Sequence, residues 1–126
     1  MKKTMLFSLI VMACLLGACS STSQYKDPRL NISQNIERYI QVTNLRCYKN
    51  DAGYAVASAD VVNNHGREIF IEWKVAWLDE NGSEIESIVS TWQKQAIAAG
   101  DIKGLKNVSN SKDAVTMRIY IRKLTR

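Results

Sequence analysis

Three cysteines, one histidine and twelve carboxylates are the groups from which this 126-residue chain could build chemistry. Two of the cysteines, Cys14 and Cys19, stand five residues apart inside "LIVMACLLGACSS", the most apolar stretch of the chain. That setting leaves three readings: a metal pair, a disulfide, or two unrelated thiols. A zinc site needs several His or Cys ligands at set spacings. The single histidine, His65, lies in the turn-forming run Asn63-Asn64-His65-Gly66, where a solvated side chain is expected. A Ser-His-Asp set is possible by count alone, but no Gly-x-Ser-x-Gly surrounds any serine. The six glycines are scattered, and none builds a phosphate-cradling loop. Asp79, Glu80, Glu84 and Glu86 crowd around Asn81-Gly82, yet their spacing misses the calcium-binding EF-hand pattern. A solvated hairpin tip is the better reading of that cluster.

The flanks of the first two cysteines decide between the readings. Met1-Lys2-Lys3 is a short positive start, and the apolar run Met5 to Leu16 is broken only by Ser8. Such a run falls short of the ~20 residues that span a hydrocarbon core and has the form of a secretory signal peptide. Leu16-Gly17-Ala18-Cys19 then resembles the lipobox of bacterial lipoproteins. The resemblance implies that the Cys19 sulfur takes a diacylglyceryl group, that the chain is cut after Ala18, and that the freed amine is acylated. Cys14 leaves with the signal. Each buried CH₂ of an acyl chain contributes about 0.8 kcal/mol, so three chains make an effectively permanent anchor. In lipoproteins of this kind an aspartate after the lipidated cysteine retains the protein in the inner membrane. Ser20 in that place implies the periplasmic side of the outer membrane. Cys47 is then the one remaining thiol; no internal disulfide is possible, and burial as a small hydrophobe is expected.

Loss of Lys2 and Lys3 with the signal lowers the formal charge of +5 by two. The remainder is ordinary for solubility, and with secretion it speaks against a nucleic-acid partner. No cofactor is expected. The organisation is a signal peptide over 1–18, a lipidated cysteine and flexible tether over 19–35, and one folded domain over 36–126. The small polar run Ser20 to Gln24 has linker composition. Fully extended, the tether reaches at most roughly 55 Å, so the domain stays near the membrane.

The elements that must position any site read as strands. "YIQVTNLRCY" changes phase between Val42 and Leu45, which predicts a bulge near Thr43-Asn44. "YAVASADVV" puts Ala55, Ala57, Ala59 and Val61 on one face. In "EIFIEWKVAWL", Ile69, Ile71, Trp73, Val75 and Trp77 share a face, with Glu72 and Lys74 opposite. Asn81-Gly82 signals a hairpin. Short strands are expected over Glu84 to Ile88 and Trp92 to Ile97, and a weak one marked by Ile102, Leu105 and Val108, before a polar loop over Asn107 to Asp113. The last strand points Val115, Met117, Ile119 and Ile121 inward and Thr116, Arg118, Tyr120 and Arg122 outward. About seven short strands with turns between them predict an all-β fold, an immunoglobulin-like antiparallel β-sandwich.

The lipobox, "VVNNHGREIFIEWKVAWLDENGSEI", "TWQKQAIAAGD" and the terminal "MRIYIRK" together resemble the YcfL-like periplasmic lipoproteins of Gram-negative bacteria. The resemblance implies an immunoglobulin-like fold and no catalytic residues. Two functional classes remain. The first is a non-catalytic binding module of the envelope, docking an envelope protein or an anionic envelope polymer. The second is an envelope enzyme or metal-binding protein with an unrecognised site, which the lone histidine and missing motifs disfavour. For the first, Arg118, Tyr120 and Arg122 are the candidate partner-binding residues. Arginine forks onto carboxylates and phosphates, and arginine and tyrosine are enriched at interfaces. A partner could also add a strand there if this strand lies at a sheet edge.

Overall fold

The computed structural model describes residues 27–125. The signal peptide, Ala18 and Cys19 lie outside them. The alternation of the sequence becomes two facing sheets. Eight strands and one short helix follow in the order β1 (Leu30–Ile32), α1 (Gln34–Glu37), β2 (Ile40–Lys49), β3 (Ala55–Asn63), β4 (Ile69–Leu78), β5 (Glu84–Ile85), β6 (Gln93–Ile97), β7 (Ile102–Val108) and β8 (Thr116–Lys123). One sheet runs β1-β8-β4, with β5 and β6 sharing the far side of β4; the other runs β2-β3-β7. All pairings are antiparallel except β1 with β8. The expected sandwich is the observed architecture, with eight strands in place of about seven.

The core follows from period-two patterning. Ile71, Trp73, Val75 and Trp77 of β4 and Met117, Ile119 and Ile121 of β8 are buried in one cluster with Ala55, Ala57, Ala59 and Val61 of β3. The small alanines leave the volume that two indoles fill, so large and small residues interlock. Two predicted inward residues come out otherwise. Val115 is exposed, because β8 begins only at Thr116 and the Val115 amide instead bonds the Leu78 carbonyl. Cys47 is only half-buried, since β2 is an edge strand with no strand on its outer side among the described residues.

The predicted bulge is present. The β2–β3 register shifts between Thr43 and Arg46, and Asn44 takes φ 53°, a left-handed geometry that Asn tolerates better than most residues. Its Nδ2 donates to Asp60 Oδ2 at 2.8 Å, which fixes the kink to the neighbouring strand. The tether expected over 19–35 ends sooner than predicted. Leu30–Ile32 pairs with Ile119–Ile121, the Ile119 amide donates to the Arg29 carbonyl, and Ser33 bonds Ile121. A three-residue strand is too short to show a period, which hid it in the sequence. The strand predicted over Glu84 to Ile88 contracts to two residues, while β7 forms a full ladder with β3. Asn107, expected to open the polar loop, belongs to β7 along with Val108.

Three of the open edges are blunted against strand addition. β1 is short, β2 carries the bulge, and β7 turns Lys103 toward the core side, opposite Val61.

Candidate docking face

β8 lies between β1 and β4, so it is not an edge strand, and β1 occupies its outer side along Ile119–Ile121. The edge position on which strand addition at this strand depended is therefore not met. What β8 presents is side chains. Its register with β4 sets Arg122 beside Glu72, Tyr120 beside Lys74 and Arg118 beside Ala76, all on the face turned away from the core. The β4–β6 register sets Lys94 on the other side of Glu72.

Trp92, immediately before β6, folds over this row. The Arg122 guanidinium carbon sits 3.7 Å from the centre of the Trp92 ring, while its Nε donates to Glu72 Oε2 at 2.8 Å. The Lys74 ammonium lies 5.0 Å from the Trp92 ring centre and 5.3 Å from that of Tyr120. Each such cation–π contact contributes about 0.5–1 kcal/mol at an exposed site. Together they hold the cations in place without neutralising them. Glu72 brings a carboxylate into the row, its side chain 15% exposed and engaged by Arg122, and the β4–β5 register sets Glu84 beside Leu78 on the same outward face. Arg118 is exposed and has no ion pair among the described residues.

All three candidate residues thus share one surface, joined by Lys74, Lys94 and Trp92, which sequence reading did not link to them. Glu72 and Lys74 could be read as outward-facing from the alternation. Which residues of β8 they would meet depended on a pairing across about 50 residues of chain that no local pattern encodes.

Other chemistry-bearing groups do not gather into a site. Among the described residues no group of three or more His, Cys, Asp or Glu could hold a metal ion. His65 is half-buried where solvation was expected: its ring lies against that of Tyr39, centres 4.4 Å apart at a tilt of 40°, which explains the difference. The two rings border a cleft with Ile69, Phe70 and Leu124. A groove between β1 and β2 is lined by Leu30, Ile32, Val42 and Leu45. The Cys47 thiol is pushed up by burial, with the Arg29 charge opposing weakly, so it stays protonated and a poor nucleophile at neutral pH.

One polar residue was read only as part of a turn. Asn63 is fully buried. Its Nδ2 donates to the carbonyls of Arg67, Ile97 and Ala98 at 2.9, 3.0 and 3.1 Å, and its Oδ1 accepts from the His65 amide at 2.8 Å. It joins the β3–β4 turn to the β6–β7 turn.

The crystal structure of a family member from Shewanella sp. pv-4 is similar, with TM-score 0.62 and 18% identity over 69% of this chain and 80% of that one. The crystal structure of Campylobacter jejuni cj0090 is similar with TM-score 0.65 and 20% identity, over 78% of this chain and all of that one. At such identities the likeness shows the fold alone. No curated protein matches the chain. The profile described as "Protein of unknown function (DUF1425)" matches residues 29–123, from the ion-paired residue before β1 to the last residue of β8. The chain belongs to the DUF1425 family.

Proposed function

We propose that this protein is a lipid-anchored, non-catalytic docking module of the bacterial envelope, held on the periplasmic side of the outer membrane through Cys19. It engages an anionic envelope partner through the outward face of its five-stranded sheet. The observation that carries the docking reading is the placement of Arg118, Tyr120 and Arg122 with Lys74 and Trp92 on one side-chain face of two central strands. A cationic row floored by aromatics offers charge-assisted hydrogen bonds and large apolar contact area at once. The anchoring part rests on Leu16-Gly17-Ala18-Cys19. The YcfL-like resemblance supports the same compartment.

Two experiments test the reading. Mass spectrometry of the membrane fraction should find the mature chain beginning at a lipidated Cys19, with Cys19→Ala retaining the signal; an unlipidated mature N-terminus would overturn the anchoring. For docking, Arg118, Tyr120 and Arg122 are replaced together by Ser and the full chain is used to recover partners from cross-linked envelopes. Loss of a partner that the parent protein recovers supports the face; unchanged recovery overturns it.

A further inference from the structure

The outer face of the three-stranded sheet lies on the opposite side of the sandwich from the docking face and shares no residue with it. Six large apolar side chains are exposed among the described residues, and three of them, Tyr48, Ile102 and Val108, stand on this one face. The strand registers arrange the face in rows that cross the sheet. At one end Tyr48, Val56 and Val108 form an apolar row, in which Val56 is buried although it points away from the core cluster. At the other end Val62 and Ile102 form a second apolar row. Between them lie a basic row, with Arg46 and Lys106 on the two sides of Ser58, and an acidic row centred on Asp60. Along β3 the order is therefore apolar, basic, acidic, apolar. None of these three charged groups has an ion pair among the described residues; the Asp60 carboxylate takes a neutral donor, Asn44, instead.

That order is its own complement. A two-fold axis parallel to the sheet and crossing the strands lays a second copy on the face with the order reversed, so apolar rows meet apolar rows and the basic row meets the acidic one. Asp60 of each copy then lies over Ser58 of the other, between its Arg46 and Lys106. The alternative axis, running along β3, would set Arg46 on Lys106 and Asp60 on Asp60. Like charges placed opposite one another are costly, so charge selects the first arrangement. Face-packed sheets cross at about 30°, so the two central, charged rows meet most closely.

We infer that this face binds a second copy of the chain, outer sheet on outer sheet, with β3 antiparallel to β3. The four rows span about 20 Å along the strands, and the three backbones about 10 Å across them. That area is below the ~800 Å² per partner of a standard interface. The pair is therefore transient and forms where copies are concentrated on one surface, which the proposed anchor supplies.

The test uses two differently tagged full-length copies expressed in the same cells, one with a photoreactive side chain at Ser58. Irradiation should capture the second copy, and not the envelope protein captured from the docking face. Asp60→Lys in both copies, or Arg46→Glu with Lys106→Glu in both, sets like charges together and should lower capture at least about tenfold. Asp60→Lys in one copy, with the two Glu substitutions in the other, sets opposite charges at both contacts and should restore capture. Restoration also shows that each variant folds. If Asp60→Lys loses cooperative unfolding in urea, Ile102→Asp decides: the site is 57% exposed, so that variant should fold and lose capture. Four results overturn the inference: no capture of the chain by itself, capture of another protein in its place, a mixed pair of folded variants no better than the like pairs, or unchanged capture with Ile102→Asp. Each leaves the docking reading as it stands, because the two faces have no residue in common.

Discussion

Asn63 offers a sharp test of how the two sheets are held at the end that carries the β3–β4 and β6–β7 turns. Its amide nitrogen has two hydrogens for three carbonyls, so one hydrogen is shared, and its oxygen accepts a third bond from the His65 amide. Three effective bonds at about 1 kcal/mol net each give roughly 3 kcal/mol. Asn63→Ala removes them and leaves the buried carbonyl of Ile97 and the part-buried one of Ala98 without a side-chain donor, so the expected loss is about 2–4 kcal/mol. For a domain of this size that lowers Tm by more than about 10 °C. Asn63→Asp keeps the shape but turns carboxylate oxygens toward the three carbonyls. The introduced carboxyl is then held above its ordinary pKa, so it is tolerated when protonated, and the variant loses stability relative to the parent as pH rises from about 4 toward 7. Urea unfolding of the three proteins at the two pH values measures both effects. A loss under about 1 kcal/mol for Asn63→Ala, or parental stability for Asn63→Asp at pH 7, would refute the hydrogen-bond account.

Further outcomes follow from the same structure. Trp73→Ala empties a site 4% exposed and should cost about 3–5 kcal/mol by denaturant unfolding. Cys47 should react slowly with a thiol reagent at pH 7, followed by absorbance, because burial raises its pKa and keeps it neutral. The Arg29 guanidinium bonded to Asp27 holds that carboxyl below its ordinary value, so the pair's contribution is present above about pH 4 and disappears as pH falls through the lowered pKa. Both partners are partly exposed, so the loss should stay within about 1 kcal/mol, read as a small difference between the parent and Arg29→Ala that vanishes in acid. Trp92→Ala frees the Arg122 guanidinium and should leave stability within about 1 kcal/mol, because cation–π contacts at exposed sites are weak.

Much of the sandwich could be read directly from the chain because the signals are local. Alternating Ile71-Trp73-Val75-Trp77 and Met117-Ile119-Ile121 fix faces residue by residue, and the phase slip at Thr43-Asn44 announces its own bulge. What escaped reading depends on distance along the chain. β1 has three residues and exists through its pairing with β8. β8 was open to being an edge strand until its partners on both sides were known. Asn63 looks like any turn asparagine, since its acceptors at Ile97 and Ala98 lie more than thirty residues on. The docking face shows the same division: Arg118, Tyr120 and Arg122 emerge from alternation within one strand, whereas Lys74, Lys94 and Trp92 join them only through the β4 pairings.

The most direct test of the docking face is a cross-linking measurement in intact envelopes. A photoreactive side chain is placed at Lys94, beside the cationic row and outside the core, in the otherwise unchanged full-length chain. A discrete envelope protein should be captured on irradiation, and its capture should fall at high salt and disappear when Arg118, Tyr120 and Arg122 are replaced by Ser. Capture that is indifferent to salt and to those three residues, or equal capture from a position on the outward face of β3 such as Ser58, would contradict the assignment.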